Sequence, residues 1–407
     1  MREGKLGMGD GRNAGTDGVA PLSTMGKASL LFSSLLSVYA IIGLAVVLPK
    51  IAAHFSEVPD APAMVRFLFN AVSLAMIFGA PLATVLTERF GRRRVMIGAA
   101  IVYGIAGTAG ALVDNLWILI ATRLVLGLVT AINSTLHITL LLTAFDESRR
   151  NRWIGIFAMV GTLCAVVTFP VAGALGSIDW RLPFVMHLIA IPQLLLILAG
   201  VPDSPRAAPA AARVTGVQRP AGSGFPAMLV LIALVTGIVA GGHASFVSFH
   251  LADIGITDTN RISLGLLVGT LAGAVTAFAF GKLREHASNR TLYCAAFALA
   301  GAGVIGVGAA ASLGGVMAAQ VVAGFGIGLL SPCLYALIAI TGRAEDRTRN
   351  TGYAKSAFYG APFIAQLGLE PVARLMQAGG ALIALGAFGL VIAGVFLVAR
   401  PSRVASA

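Results

Sequence analysis

Thr87-Glu88-Arg89-Phe90-Gly91-Arg92-Arg93-Arg94 is a short charged turn between two long apolar runs, one ending at Leu86 and the next beginning at Val95. Four arginines between membrane-length segments cannot be carried across a bilayer cheaply, so the turn is expected on the cytoplasmic side. Every other segment can be oriented from it. The composition agrees, because the 407-residue chain is 57% hydrophobic and only 11% charged, with 49 glycines and a mean hydropathy of +0.88. Apolar, glycine-rich segments of about 20 residues, repeated along the whole chain, read as a polytopic helical membrane protein whose small residues let helices approach closely.

Working outward, apolar spans are expected at about 29–51, 63–86, 95–113, 116–144, 153–175 and 184–201, then at 227–252, 263–280, 291–311, 316–341, 352–370 and 379–399. The fold class is therefore all-α, with twelve transmembrane helices in two bundles of six. Residues 203–225 are rich in Pro, Ala, Gly and Ser and carry Arg206, Arg213 and Arg219, the composition of a flexible linker. The expected division is a disordered tail over 1–26, a first bundle over 27–202, the linker over 203–225, a second bundle over 226–400 and a short tail over 401–407. Met8 and Met25 offer alternative translation starts. The first span is too long for a secretory h-region and lacks a small-residue cleavage site, so it is read as a membrane helix.

The formal net charge is +12 and the pI near 10.3. These charges are spread over short loops without interleaved aromatics, which speaks against nucleic-acid binding. With both termini inside, the cytoplasmic segments hold 22 of the 29 Lys and Arg residues; Lys50, Arg66, Arg181, Arg261 and Arg374 fall outside, and Arg123 and Lys355 lie within helices. Cys164, Cys294 and Cys333 fall in apolar segments without metal-ligand spacing and read as packing residues. No zinc-binding His-Glu-x-x-His, nucleophile elbow or phosphate loop is present, so neither an enzyme nor direct ATP drive is expected, and no cofactor or metal.

The halves repeat one another. Arg123-x-x-x-Gly127 in span four lines up with Gln320-x-x-x-Gly324 in span ten, Ser134 then falls on Ser331, and Arg150-Asn151 aligns with Arg349-Asn350 behind the acidic pairs Asp146-Glu147 and Glu345-Asp346. Two six-helix halves in parallel repeat suit a rocking transporter. On these residues the chain resembles the major facilitator superfamily over essentially its whole length. The loop Glu88, Arg89, Gly91, Arg92, Arg93 is similar to that family's first signature, with Thr84 in place of its opening Gly, and Gly281-Lys-Leu-Arg284 is a degraded second copy. Arg123-x-x-x-Gly127 resembles the signature of proton-driven members. Pro170-Val-Ala-Gly173 resembles an element of exporters, with Phe169 in place of its first Gly, and Trp180-Arg181-Leu-Pro-Phe184 the family's turn before span six.

The resemblance implies that Glu88, Arg89, Gly91, Arg92 and Arg93, with Pro170 and Gly173, gate the conformational change. Read by itself, the arginine turn is either a charge network holding helix bundles together, with Gly91 permitting the tight turn, or plain positive-inside charge. Arg123 sits about two turns inside its helix, where an ionised group is costly. Thr130, Ser134 and His137 share its face at 100 degrees per residue. That face either lines a cavity or holds a snorkelling Arg beside unrelated core residues. Thr236, His243 and His250 are seven apart and form a similar stripe in span seven. The resemblance implies that spans four and seven both line the central cavity. Gln320, Ser331 and Tyr335 are further candidates in span ten, while Asn70, His187 and Gln193 read as packing or interfacial groups.

Every acidic residue falls in a tail, a loop or near a helix end. A cavity offering Arg123, His137 and His243 suits an anionic or neutral solute, or a drug-like compound, better than a cation. His243 is the expected site of proton coupling, with Asp253 and Glu370 as peripheral alternatives. The expectation is a monomeric secondary transporter of a bacterial inner membrane that moves a small solute by alternating access. Proton-coupled export is preferred; uptake of an organic acid or sugar by proton symport is the alternative, and a membrane receptor is disfavoured because no soluble signalling domain is present.

Overall fold

The computed structural model describes residues 22–145, 147–202, 226–340 and 347–398. The expected linker, the tail over 401–407, nearly all of the first tail, Asp146 and the Glu345-Asp346 pair lie outside them, as do the side chains of Arg150, Asn151 and Arg349.

Among the described residues, twelve membrane-length helices follow the hydropathy pattern. They are α1 (Thr24–His54), α2 (Ala61–Phe90), α3 (Arg92–Ala111), α4 (Leu116–Ala144), α5 (Glu147–Ile178) and α6 (Leu182–Gly200), then α7 (Ala227–Asp253), α8 (Thr259–His286), α9 (Asn289–Ala309) and α10 (Leu313–Ile340). The last helical run, Arg347–Val398, has 52 residues. A straight helix of that length would span about 78 Å at ~1.5 Å per residue, more than twice a ~30 Å hydrocarbon core. Met376 and Gln377 leave helical geometry, Gln377 at φ 58°, and break the run into α11 (347–375) and α12 (378–398). Asp253, at the end of α7, accepts a hydrogen bond from Ala378 N at 3.3 Å and so caps α12 from another helix.

Caps and turns set the other boundaries. Asn115 accepts from Trp117 N and Ile118 N at the start of α4, Asp258 from Arg261 N at α8, and Ser288 from Thr291 N at α9. Gly91 joins α2 to α3 at φ 82°, a conformation a side chain disfavours, so the glycine in the arginine turn has a backbone reason.

The internal repeat is present in the packing. A Cβ on Gly127 would collide with Val72 O of α2, and a Cβ on Gly324 with Gly269 O of α8. The offset separating Gly127 from Gly324 also separates Val72 from Gly269, so α2 lies on α4 as α8 lies on α10.

The core divides unequally along the membrane normal. At the far end, remote from the turn over residues 89–94, one cluster joins Val47, Leu68 and Phe184 of the first half to Phe246, Leu251 and Leu382 of the second. At the near end each half keeps its own: Leu30, Met96 and Leu136 in the first, Leu229, Phe297 and Leu334 in the second, with Tyr359 reaching from the second half onto the first cluster. The halves are therefore packed together at the far end and largely separate at the near end.

Candidate solute cavity and the seams that close it

Between the halves lies a cavity of about 380 Å³. Its walls come from α1, α2 and α5 of the first half and α7, α8, α10 and α11 of the second. The polar groups in them are Asn70, Ser73, His243, Thr270, Gln320 and Ser331, and the aromatic ones Phe69, Phe169, Phe358 and Tyr359. No Asp, Glu, Lys or Arg is among the lining residues. Such walls offer hydrogen bonds and ring faces but no fixed charge.

Two seams join the halves beyond the cavity towards the far end. In the first, α2 meets α11: Arg66 binds Glu370 through two hydrogen bonds, Nη2 to Oε1 at 2.6 Å and Nε to Oε2 at 3.0 Å, with side chains only 7% and 14% exposed. The guanidinium also lies over Phe249 of α7, 4.8 Å from its centroid, and over Phe246 at 5.4 Å. One turn inward, the amides of Asn70 and Gln366 meet at 2.8 Å. Arg374 extends the pairing to Asp60 at 3.2 Å near the surface. In the second seam, α5 meets α8 through small groups: Thr259 donates to Gly173 O at 2.9 Å, and a Cβ on Gly173 would fall 2.7 Å from Ser263 Oγ.

The expected site residues are dispersed by this arrangement. His243, Gln320 and Ser331 line the cavity. Arg123, Thr130, Ser134 and His137 do share a face of α4, but none is among the lining residues. Arg123 is sealed in the first bundle, donating to Ala106 O at 3.1 Å and Gly107 O at 2.9 Å with its guanidinium over Phe184, and it neither snorkels nor meets the cavity. Thr130 is buried and donates to Leu126 O, and Ser134 to Ala131 O. His137 ties three helices: its Nδ1 lies 2.8 Å from Asn133 O, which can only accept, so Nε2 is the acceptor from Gln193 at 2.8 Å and Ser29 at 3.1 Å. That tautomer makes it a neutral buried connector.

The span-seven stripe is bent, because the regular helix is broken at Gly242 and His243, although both keep right-handed helical dihedrals, and Gly242 lies against Ala365 of α11. His243 consequently faces the cavity with its Nδ1 lacking a well-formed hydrogen bond, while Thr236 is buried and bonded to Ile232 O, and His250 Nε2 donates to Ala310 O at 3.0 Å. Tyr335 is 46% exposed and lies off the cavity wall. Asn70, read from sequence as a packing or interfacial group, and Ser73 and Thr270, not singled out, are polar cavity residues that sequence reasoning missed, and Gln366 was not singled out either. Arg66 and Asn70 are four apart, and so are Gln366 and Glu370, so each pair shares a helix face. That matched spacing was the signal available.

This architecture matches known proteins. The profile of the Major Facilitator Superfamily covers residues 30–366. The chain belongs to the major facilitator superfamily. A probable sugar efflux transporter of Helicobacter pylori strain J99 is 25% identical over 346 residues, 81% of this chain and 85% of its own length. A D-xylose transporter of Levilactobacillus brevis is 32% identical over 146 residues, 34% of this chain but only 31% of that protein. Among solved structures, a D-xylose-proton symporter superposes with a TM-score of 0.72 at 15% identity, covering 93% of this chain and 98% of that one. A POT family transporter reaches 0.74 at 12% identity, covering 92% and 95%. At such identities the superpositions establish the fold.

As a superfamily member the chain is a multi-pass membrane protein with the family and fold of transporters. Its first-signature loop sits at the near end, where Glu88 and Arg89 are exposed and Arg93 donates to Leu198 O of α6 at 2.8 Å, within its own half. Gly173 of the exporter-like element lies in the α5–α8 seam, and Pro170 beside it is exposed on the helix surface. The Trp180 turn stacks Arg181 over Trp180 at 4.3 Å and places Phe184 beneath Arg123.

Proposed function

We propose that this superfamily member moves a small, neutral, polyhydroxylated solute of the sugar class across a bacterial inner membrane by alternating access. The observation that carries the reading is the cavity between the halves, with amide, hydroxyl and imidazole groups beside four aromatic rings and no charged side chain in its walls. Sugars present hydroxyls to such amides and carbon faces to such rings. A volume of about 380 Å³ lies in the lower part of the ~300–1,000 Å³ range of small-ligand pockets, as a monosaccharide-sized solute requires. An organic anion, which Arg123 had kept open, loses its counter-charge because that guanidinium is consumed by Ala106 and Gly107 inside the first bundle. The names of the sugar efflux and D-xylose relatives support the same solute class.

The arginine-rich turn orients the near end to the cytoplasm with both termini inside. The joined far-end core then makes this the outward-closed state, in which both seams bar the outer face. Export coupled to protons is the preferred direction, supported by the efflux relative that aligns over most of the chain. Uptake by proton symport is the second reading, favoured by an arabinose-proton symporter that is 24% identical over 155 residues.

Everted vesicles carrying a preformed pH gradient test both. Addition of D-xylose, L-arabinose or D-glucose should dissipate the gradient, and a His243→Ala or Gln320→Ala variant should blunt the response. Dissipation by organic acids in place of sugars would overturn the solute class. Right-side-out vesicles accumulating sugar with proton entry would reverse the direction.

A further inference from the structure

Among the cavity-lining residues, Asn70 is the one whose side chain is described bonding the opposite half, through Gln366. His243, Thr270, Gln320 and Ser331 line the wall from the second half without such a tie in the described contacts. Asn70 is 3% exposed and Gln366 likewise. One turn further out on the same two helices, Arg66 and Glu370 close the seam. The four residues form a short ladder, with its inner rung in the solute's wall and its outer rung in the barrier.

We propose that Asn70 transmits occupancy of the cavity to the outer seam: a hydroxylated solute that hydrogen-bonds the Asn70 amide displaces Gln366, and the Arg66–Glu370 pair then parts with the α2–α11 contact. The proposal rests on the neutral-solute reading above. An amide carries two donors and an acceptor oxygen, and Nδ2 already gives one hydrogen to Arg66 O at 3.1 Å. Exchanging an amide partner for a hydroxyl is nearly neutral, because one hydrogen bond replaces another. Parting the same rung with nothing in its place costs both buried amides the hydrogen bond between them, leaving Asn70 only its bond to Arg66 O and Gln366 only a longer one to Ala63 O at 3.4 Å. The empty carrier therefore keeps its outer seam shut and the loaded one can open it, which is the condition for transport without leak. Of the ionisable groups around the pair, Arg374 bridges Asp60 at 3.2 Å and also reaches Glu370 Oε1 at 3.9 Å, Asp253 accepts from Ala378 N, and His250 donates to Ala310 O.

Opening is read in right-side-out vesicles from the labelling rate of a Ser263→Cys substitution, a site buried in the other seam, by a membrane-impermeant maleimide, with position 263 resolved by peptide mass. Without solute, Asn70→Ala should raise labelling about tenfold, Gln366→Ala should do the same, and the double variant should add nothing further, since partners in one contact are non-additive. D-xylose, L-arabinose or D-glucose should raise labelling of the parent and fail to do so in Asn70→Ala. Thr259→Val, which loosens the other seam, should raise basal labelling yet keep the solute response, a split that general loosening does not produce. Unchanged basal labelling in Asn70→Ala, or a full sugar response in it, overturns the proposal. Sugars that leave both the parent and Thr259→Val unmoved defeat the solute class, and the basal comparison then still decides for or against the tie between the halves.

Discussion

The two seams that hold the halves together occupy equivalent places in the repeat, yet they are built from opposite chemistry. The offset that carries Gly127 onto Gly324 carries Arg66 onto Ser263. Arg66 forms a largely buried ion pair with Glu370, whereas Ser263 packs on the bare backbone of Gly173. A charged pair in low dielectric is strong while intact and leaves an uncompensated charge when one partner goes. Small residues instead gain from close backbone approach, whose dispersion energy falls away within an ångström. Pseudo-symmetry of the backbone thus does not entail symmetry of the barrier: the α2–α11 seam can be released by chemistry, and the α5–α8 seam by geometry.

The largest effect should come from Arg66→Ala. It leaves Glu370 with only the more distant Arg374, 3.9 Å away and on its own helix, and should weaken the closed far end by about 3 kcal/mol or somewhat less, lowering the melting temperature in detergent and exposing position 263 to labelling. The exchange Arg66→Glu with Glu370→Arg should recover part of that loss; equal damage in the exchange and the single variant would deny that the pair matters as a pair. Next, Gly173→Val drives a branched side chain into Ser263 and Thr259 O, an overpacking cost of roughly 1–3 kcal/mol. It should lower sugar transport and raise outer labelling without altering how either responds to exchanging Arg66 and Glu370.

Thr259→Val removes the donor to Gly173 O and should cost about 1 kcal/mol, seen as a small drop in melting temperature. The smallest effect tests a site outside both seams. Asp114, in the loop between α3 and α4, is held below the ordinary carboxylate range, first by the hydrogen bond from His54 at 2.6 Å and then by the charges of His54 and Arg181. A carboxyl depressed in the fold contributes fully above its unfolded value, near pH 4, and loses that contribution as pH falls through the folded value. Asp114→Asn should therefore melt slightly earlier than the parent at neutral pH, with the difference closing in acid. Outer labelling should not change, and a change would extend the barrier beyond the two seams.

The spans, their grouping and the repeat were legible in the sequence because hydropathy and residue spacing are one-dimensional quantities. Even the break between α11 and α12 fell between two expected spans. The site was legible only in part. Arg123, Thr130, Ser134 and His137 were correctly grouped on one face of α4, but period 3.6 tells which residues share a side and not what that side meets. It meets α1, α3 and α6 inside the bundle, through Ser29, Gln193 and the carbonyls of residues 106 and 107. Asn70 was read only as a packing or interfacial group, because its significance depends on Gln366, nearly three hundred residues away.

By itself the sequence determined a twelve-helix transporter fold and its two related halves, since lipid imposes length, apolarity and loop charge on each segment separately. Which polar residues face a solute, which are spent inside a bundle, and which of two equivalent seams carries an ion pair were decided only by the tertiary structure. Those properties belong to contacts between segments, and inside a membrane, where every helix is apolar, the hydropathy of one segment carries no record of its partner.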